Sequence, residues 1–356
     1  MTEEMNDVLV IEPEAPDPSE IKAEKKSIRR TFSRCGWGAF ALTASGYVLA
    51  LIVTFIVVLI DPSQTGAVPF YNKNILLFNE AFIAFATLCG AIVLIKMPKK
   101  SPERTRMSVG SVLAIICICF GVGSVGNIIG NVFLSFWNGL TGQEVTNELA
   151  EILASIDPIQ MILCTAILAP ILEELFFRKL LIDRMLPHGE LFAILVSAIL
   201  FGLFHKNFSQ FFYAFALGAV FGYVYCRTGS YLLVTLLHAV FNFFSGVLPA
   251  LLAPRVLAFA EAAEGLTEAE MVEMLPSLMS EYGVPLLLYV IYLLVLGALN
   301  VTGIVLLITN FKKIRIAPHT SSLTKKERVK AIALNSGMIV VSVTLTVFMI
   351  ISLFPQ

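Results

Sequence analysis

The chain has 356 residues, of which 57% are hydrophobic and only 14% are charged, and its mean hydropathy is +0.82. A soluble domain of this length cannot bury so much apolar surface, because polar side chains must cover its exterior. The net charge of −1 provides no overall basic field, which argues against nucleic acid as a partner. The sequence therefore predicts an all-α, polytopic transmembrane helical bundle that has the lipid bilayer as a partner.

The N-terminal tail, residues 1–36, is polar and shows no cleavable signal peptide. It begins acidic and becomes basic over residues 22–34, directly before the first apolar run. Its composition predicts disorder. The position of its basic residues predicts a cytoplasmic N-terminus, because loops on the cytoplasmic side carry an excess of Lys and Arg.

Nine apolar runs follow the tail, and most are long enough to cross a bilayer. They lie near residues 37–60, 74–96, 108–134, 158–182, 190–206, 209–226, 230–253, 284–309 and 332–354. The fifth and sixth runs are short and closely spaced, so we expect about eight or nine spans. Within the third run, the spacing Gly126-x-x-x-Gly130 predicts close packing against another helix.

The basic residues predict which loops share one side of the membrane. They cluster at residues 22–34, 96–106 and 178–184, at Arg227 and at residues 312–330, whereas the segments 138–157 and 260–282 are acidic. Alternation across nine spans would place the C-terminus outside. The predicted divisions are the tail 1–36, N-terminal spans 37–157, a central core 158–253, a polar extracytoplasmic segment 254–283 and C-terminal spans with a basic loop 284–356.

Two adjacent carboxylates, Glu173 and Glu174, interrupt an apolar run. Each costs about 3 kcal/mol at membrane depth on insertion scales, so the pair requires a partner, a proton or a reaction. Arg178 follows Glu174 by four residues, which is the favoured order for a helical ion pair. Glu173 is rotated by about 100° from Glu174 around the helix. We therefore expect Glu174 and Arg178 to be supporting residues and Glu173 to be chemically active.

Two later apolar runs carry polar pairs at helical spacing: Phe201-Gly-Leu-Phe-His205 and His238-Ala-Val-Phe-Asn242. Residues four apart share one helix face. Glu173 lies fifteen residues before the turn at His188 and His205 lies seventeen after it, so the two are expected at nearly equal depth. His238 is only nine residues beyond Gly229 and would need a tilted helix or a broken fifth span to join them.

These four side chains suit the hydrolysis of an amide without a Ser or Cys nucleophile. Glu173 and His205 can take a proton from water and deliver it to a leaving amine. His238 and Asn242 can donate hydrogen bonds to a developing oxyanion. The alternative is zinc bound by Glu173, His205 and His238 with an open fourth position. A metal-free site without a cofactor is favoured, because no HExxH occurs and Asn is a poor zinc ligand.

The ordered set of Glu173-Glu174-Leu-Phe-Phe-Arg178 and the two later motifs resembles the CPBP family, which includes the type II CAAX prenyl endopeptidases and bacterial Abi or bacteriocin-processing proteins. The resemblance covers roughly residues 158–250. It implies an all-helical intramembrane endopeptidase in which Glu173 and His205 activate water and His238 and Asn242 stabilise the oxyanion. Glu174 and Arg178 would support these residues, and the protein would reside in a bacterial plasma membrane.

The resemblance implies a membrane-associated peptide or protein as substrate, such as a peptide pheromone, a bacteriocin leader or a membrane-protein tail. Two other functions stay open at this point. The first is a non-catalytic membrane regulator or bacteriocin-immunity protein that retains the fold. The second is a proton-coupled transporter in which Glu173 and Glu174 form a relay; it is disfavoured, because the sequence shows neither clear inverted repeats nor discontinuous helices.

Overall fold

The computed structural model describes residues 17–142 and 156–354, and these residues form helices joined by turns and loops, with no strand among them. Seven of the helices are long and apolar enough to cross a bilayer, or eight when a bent pair near the C-terminus is counted as one span. This architecture confirms the predicted polytopic helical bundle.

The helices are numbered here in chain order. They are α1 Pro18–Ile60, α2 Ala67–Lys73, α3 Ile75–Leu94, α4 Val109–Thr141, α5 Pro158–His188, α6 Glu190–Phe204, α7 Phe208–Thr228, α8 Tyr231–Ala263, α9 Glu268–Asn310, α10 Lys325–Ala333 and α11 Ser336–Ile351. The bent pair is α10 and α11, which meet at 67°. The predicted fifth span is α6, whose 15 residues reach only about 22 Å and therefore fall short of a full crossing.

The N-terminal tail differs from the prediction, because residues 18–36 are helical and not disordered. The side chain of Asp17 accepts the backbone N–H of Ser19 and caps the helix. Ile28 and Phe32 are fully buried in the main core. The average composition of the tail did not predict this packing, because a polar segment can be ordered by a few apolar side chains that are buried in a core. Residues 1–16 lie outside the described residues.

The acidic segment 254–283 is a helical hairpin, and its predicted borders fall inside helices α8 and α9. A capping box between Thr267 and Glu270 starts α9, which then continues without a break to Asn310. The segment is therefore an extension of two long apolar helices. Most of the other acidic segment, 138–157, lies outside the described residues.

The predicted basic loops meet at one end of the bundle, which we call the basic end. The backbone N–H of Lys100 donates to the carbonyl of Asp183 at 2.7 Å, and Arg328 donates to the carbonyl of His188 at 2.7 Å. Glu24 near the start of α1 accepts hydrogen bonds from Ser321 and Ser322. The loops predicted to share one side therefore lie together. Arg178 is the exception, because it is fully buried inside the bundle.

Helices α4 and α7 pack with their backbones in contact, as the Gly126-x-x-x-Gly130 spacing predicted. A Cβ atom on Gly126 would collide with the backbone of Tyr213, and one on Gly130 would lie 2.7 Å from the carbonyl oxygen of Ser209. Glycine at both positions allows this approach. The contact sets α7, which follows the short helix α6, against the centre of the bundle.

Candidate active site

Helix α5 carries both glutamates on a short α-helical stretch between two π-helical stretches. Ala169–Glu174 is α-helical, whereas Ile162–Leu168 and Leu175–Ile182 are π-helical. Pro170 contributes to this break, because it has no N–H to donate to a carbonyl in the preceding turn. Insertions of this kind often occur at functional sites. Glu173 and Glu174 thus lie where helix α5 departs from regular α-helical geometry.

The π-turn before the glutamates leaves one backbone carbonyl without a helical partner. The N–H of Ala169 donates to the carbonyl of Cys164, five residues back, and not to that of Thr165. A π-helical bond to Thr165 would require an N–H on residue 170, which is proline. The carbonyl of Thr165 instead accepts a hydrogen bond from Nδ2 of Asn242 at 3.0 Å. An amide NH₂ has two donors, so Asn242 keeps one for another acceptor.

Glu174 and Arg178 form the buried ion pair predicted from their spacing. Nε of Arg178 lies 2.9 Å from Oε2 of Glu174, and both side chains are fully buried. Nη1 of Arg178 donates to Oγ of Ser197 on α6, and that hydroxyl donates to the carbonyl of Phe177. The guanidinium also lies 4.9 Å from the centre of the Phe201 ring. The arginine is therefore fixed from several directions.

His238 on α8 lies between the two glutamates. Its Nδ1 atom is 3.0 Å from Oε1 of Glu174, and its Nε2 atom is 3.8 Å from Oε2 of Glu173. A carboxylate can only accept, so Nδ1 carries the hydrogen of this bond. His238 is buried, and its ring contacts those of Phe201 and Phe221. Sequence reasoning paired Glu174 with Arg178 alone and missed its second role as the partner of His238.

His205 ends helix α6 and is half-buried. Its Nδ1 atom lies 3.0 Å from the carbonyl oxygen of Phe201, which accepts a hydrogen bond, so Nε2 keeps a free lone pair in the neutral ring. In the part of the chain that the structure describes, no hydrogen bond or ion pair joins His205 to Glu173. His205 lies at a turn where Lys206 takes a left-handed φ of 60°, and its convergence with Glu173 on a water stays a prediction.

No group of three or more His, Cys, Asp or Glu residues in residues 17–142 and 156–354 has a geometry that could hold a metal ion. The alternative zinc ligands Glu173, His205 and His238 thus do not converge on one point. These residues do not fit a resident zinc ion as they stand, and we derive no step through a metal.

Comparisons with known proteins bear on this central region. Residues 155–244 match the family model described as Type II CAAX prenyl endopeptidase Rce1-like, and the four site residues lie inside that match. The chain is 28% identical over 135 residues to a Bacillus subtilis (strain 168) protein that bears the provisional name membrane peptidase YdiL. The similarity covers 35% of this chain and 55% of the relative, so the chain spans about half of that relative's length. No solved structure matches the chain.

Proposed function

We propose that this chain belongs to the CPBP family and is an intramembrane endopeptidase that hydrolyses a peptide bond in a membrane-associated protein or peptide, which the match of residues 155–244 to the Rce1-like endopeptidase model supports. The observation that carries the proposal is the buried His238, which lies between the carboxylates of Glu173 and Glu174 inside an apolar bundle. Ionisable groups at membrane depth are costly and are usually functional.

Water activation is assigned to Glu173 and His205. Glu173 is free of the ion pair that holds Glu174, and its contact with Nε2 of His238 is 3.8 Å long. Nε2 of His205 is likewise free to accept a hydrogen. A water bound between them would lose a proton to Glu173 as its oxygen attacks the substrate carbonyl carbon. The same proton would then pass to the leaving nitrogen as the C–N bond breaks.

Oxyanion stabilisation is assigned to His238 and Asn242. Nδ1–H of His238 is engaged by Glu174, so the ring donates to an oxyanion from Nε2 only when both nitrogens carry protons. Asn242 has one N–H engaged by Thr165 and a second that is available. The two donors would stabilise the negative charge that develops on the carbonyl oxygen.

The support for these roles comes from Glu174 and Arg178. Glu174 fixes the tautomer and the orientation of His238, because its carboxylate accepts from Nδ1. Arg178 fixes Glu174, and Ser197 fixes Arg178. These supporting residues thus lie on the helices α5 and α6, His238 and Asn242 lie on α8, and His205 lies directly after α6. Zinc dependence stays the alternative, and activity that survives a strong chelator but fails after Glu173→Gln would exclude it.

The test is peptide cleavage by the purified full-length chain in proteoliposomes. A library of quenched fluorescent peptides, each carried on a single transmembrane helix, serves as the probe. Glu173→Gln and His205→Ala are each expected to lower kcat by about a hundredfold or more. Glu264→Gln, an exposed carboxylate in the α8–α9 hairpin, is the matched control and is expected to cleave normally. Normal cleavage by a folded Glu173→Gln or His205→Ala variant would contradict the proposal.

We also propose that the basic end faces the cytoplasm of a bacterial cell, with the chain in the plasma membrane. The support is the clustering of the basic loops at this end. A membrane-impermeant maleimide tests it in intact cells that express a variant without native cysteines. Gly66→Cys, at the opposite end of α1, is expected to react, and Lys99→Cys is expected to react only after lysis. The reverse pattern would overturn the orientation.

A further inference from the structure

A further buried carboxylate, Glu80, lies on α3, outside the segment that matches the peptidase family. It is 6% exposed, and its Oε2 atom has no hydrogen-bond partner among the described residues. No ion pair within the described residues involves it. A buried polar atom without a partner carries a cost of about 1–3 kcal/mol, so its presence needs an explanation.

The helices α3 and α5 run in the same direction. Two contacts between them give the position of Glu80 along the helix axis relative to α5. Nε2 of Gln160 donates to the carbonyl of Lys73 at 3.2 Å, near the start of both helices. Further along, a Cβ atom on Gly90 would lie 2.6 Å from the ring of Phe176. Both contacts relate residues about 86 positions apart in the chain, so Glu80 is level with residues 166–167. Glu173 lies about 10 Å further along the axis.

Glu80 faces α5 across this interface. Residues seven apart on a helix lie on one face, so Glu80 shares its face with the buried Thr87, and Gly90, which contacts Phe176 of α5, lies three residues further along that side. Two extended glutamate side chains shorten a separation of about 10 Å along the axis to a gap that one or two water molecules can bridge. Glu80 is therefore positioned to exchange protons with Glu173 through water.

Other polar groups line the same stretch of α5. Gln160 is 7% exposed, and its Oε1 atom has no hydrogen-bond partner in the part of the chain described. The amide of Asn242 lies at the carbonyl of Thr165. These groups extend from the level of Glu173 toward the end of the bundle opposite the basic end. Polar groups of this kind are the partners that water needs inside an apolar bundle.

We infer that Glu80 is the proton-exchange partner of Glu173. In the step, Glu173 loses its carboxyl proton to bridging water and the carboxylate of Glu80 gains one, so the number of protons is unchanged. Glu173 is left ionised and able to accept a proton from the attacking water. Two carboxylates in one apolar site share a proton, because both cannot readily be charged. The inference rests on the proposed function, and Glu80 acts as a positioning residue through Glu173.

The helices that pack against α3 include α1, α2 and α5. Their ionisable groups include Tyr47 on α1, Tyr71 and Lys73 on α2, and Cys164, Glu173 and Glu174 on α5. Glu174 is held in the ion pair with Arg178, whereas Glu173 is not. Glu173 is therefore the group with which Glu80 is expected to titrate as a pair.

The first test is the pH dependence of kcat in the proteoliposome assay. Glu80→Gln is expected to lower kcat by about tenfold or more and to change the shape of its pH profile, with KM unchanged. Glu80→Asp is expected to restore part of the rate, because it keeps a carboxyl group. Phe82→Leu, a buried apolar substitution two residues along α3, is the packing control and is expected to keep the wild-type profile. A wild-type pH profile in Glu80→Gln would overturn the inference.

The second test does not depend on cleavage. The infrared carboxyl band of Glu80 is identified as the band lost in Glu80→Gln. It is expected to titrate in two steps in the wild-type protein and in one step in Glu173→Gln. Identical titration in both proteins would overturn the pairing. Should the wild-type protein cleave no peptide while the band changes as expected, the pairing would stand and the proposed function would fail.

Discussion

Nδ1 of His238 lies 3.0 Å from Oε1 of Glu174, a carboxylate that also forms a buried ion pair with Arg178. The carboxylate of Glu174 thus contacts both the supporting residue Arg178 and the site residue His238. Arg178 is in turn bonded to Ser197, so the connection passes from α6 through α5 to α8. The orientation of His238 therefore depends on the same carboxylate that neutralises a cation in the core.

Substitution of Glu174 by glutamine tests this connection. Glu174→Gln leaves Arg178 as an uncompensated buried charge, which is expected to lower the free energy of unfolding by about 3–5 kcal/mol. Cleavage is expected to fall as well, because a neutral amide oxygen accepts the Nδ1–H of His238 more weakly than a carboxylate does. Thermal unfolding in detergent and kcat in proteoliposomes measure the two effects separately.

The double variant Glu174→Leu, Arg178→Met separates stability from chemistry. Removal of both charges is expected to restore most of the lost stability, because a buried ion pair and a well-packed apolar pair of similar volume are often equally stable. Activity is expected to stay low, since His238 then lacks its acceptor. A double variant that cleaves at the wild-type rate would show that Glu174 serves Arg178 alone.

The packing of α4 against α7 is tested by Gly126→Ala. The added methyl group would collide with the backbone of Tyr213, and such overpacking costs about 1–3 kcal/mol. Gly139→Ala on the same helix is the matched control, because a Cβ atom there has nothing within 4 Å. We expect a lower Tm for Gly126→Ala only. Equal Tm values for the two variants would contradict the close contact.

Features that depend on local spacing were predictable from the sequence. The Glu174–Arg178 pair and the Gly126-x-x-x-Gly130 contact follow from positions four apart on a helix, a geometry that neighbouring residues fix. The spans themselves follow from apolar length. The contact between His238 and Glu174 could not be predicted in this way, because it joins residues 64 positions apart on different helices.

Depth counting, which predicts that Glu173 and His205 lie at nearly equal height, used regular helix geometry, and its result stays a prediction. It assumed a uniform rise and rotation for each residue, whereas α5 is π-helical over Ile162–Leu168 and Leu175–Ile182. It also placed His205 within a full span, although α6 ends one residue before it. Pro170 was the visible signal in the sequence, because a proline within a helix breaks the regular hydrogen-bond pattern.

Asp61, directly after α1, gives a pH-dependent prediction outside the membrane-spanning segments. Backbone N–H groups of Val68 and Gly66 donate to its carboxylate and lower the pKa of Asp61 below its usual value. Because folding lowers this pKa, the carboxylate stabilises the turn above a pH of about 4, and this stabilisation is lost as pH falls through the folded pKa. Hydrogen exchange of these two amides is expected to accelerate, relative to its intrinsic rate, as the pH falls.

Asp61→Asn is expected to weaken protection of the Gly66 and Val68 amides at neutral pH, because the charge that strengthens both bonds is gone. Asp157→Asn is the control, since Asp157 caps the start of α5 through Ile159 and leaves the turn after α1 untouched. Protection at Gly66 and Val68 that is the same in wild type and Asp61→Asn would contradict the prediction.

The side chain of Asn242 has two proposed roles, one hydrogen bond to the backbone of α5 and one to the oxyanion, and a substitution tests them separately. Asn242→Ala removes the partner of the Thr165 carbonyl, so stability is expected to fall by only about 0.5–1.5 kcal/mol. The loss of an oxyanion donor is expected to lower kcat by about a hundredfold to a thousandfold. Ser245→Ala is the matched control, because it removes a similar hydrogen bond, to the carbonyl of Phe241, three residues along α8. A loss of kcat no larger than that of Ser245→Ala would assign Asn242 to packing.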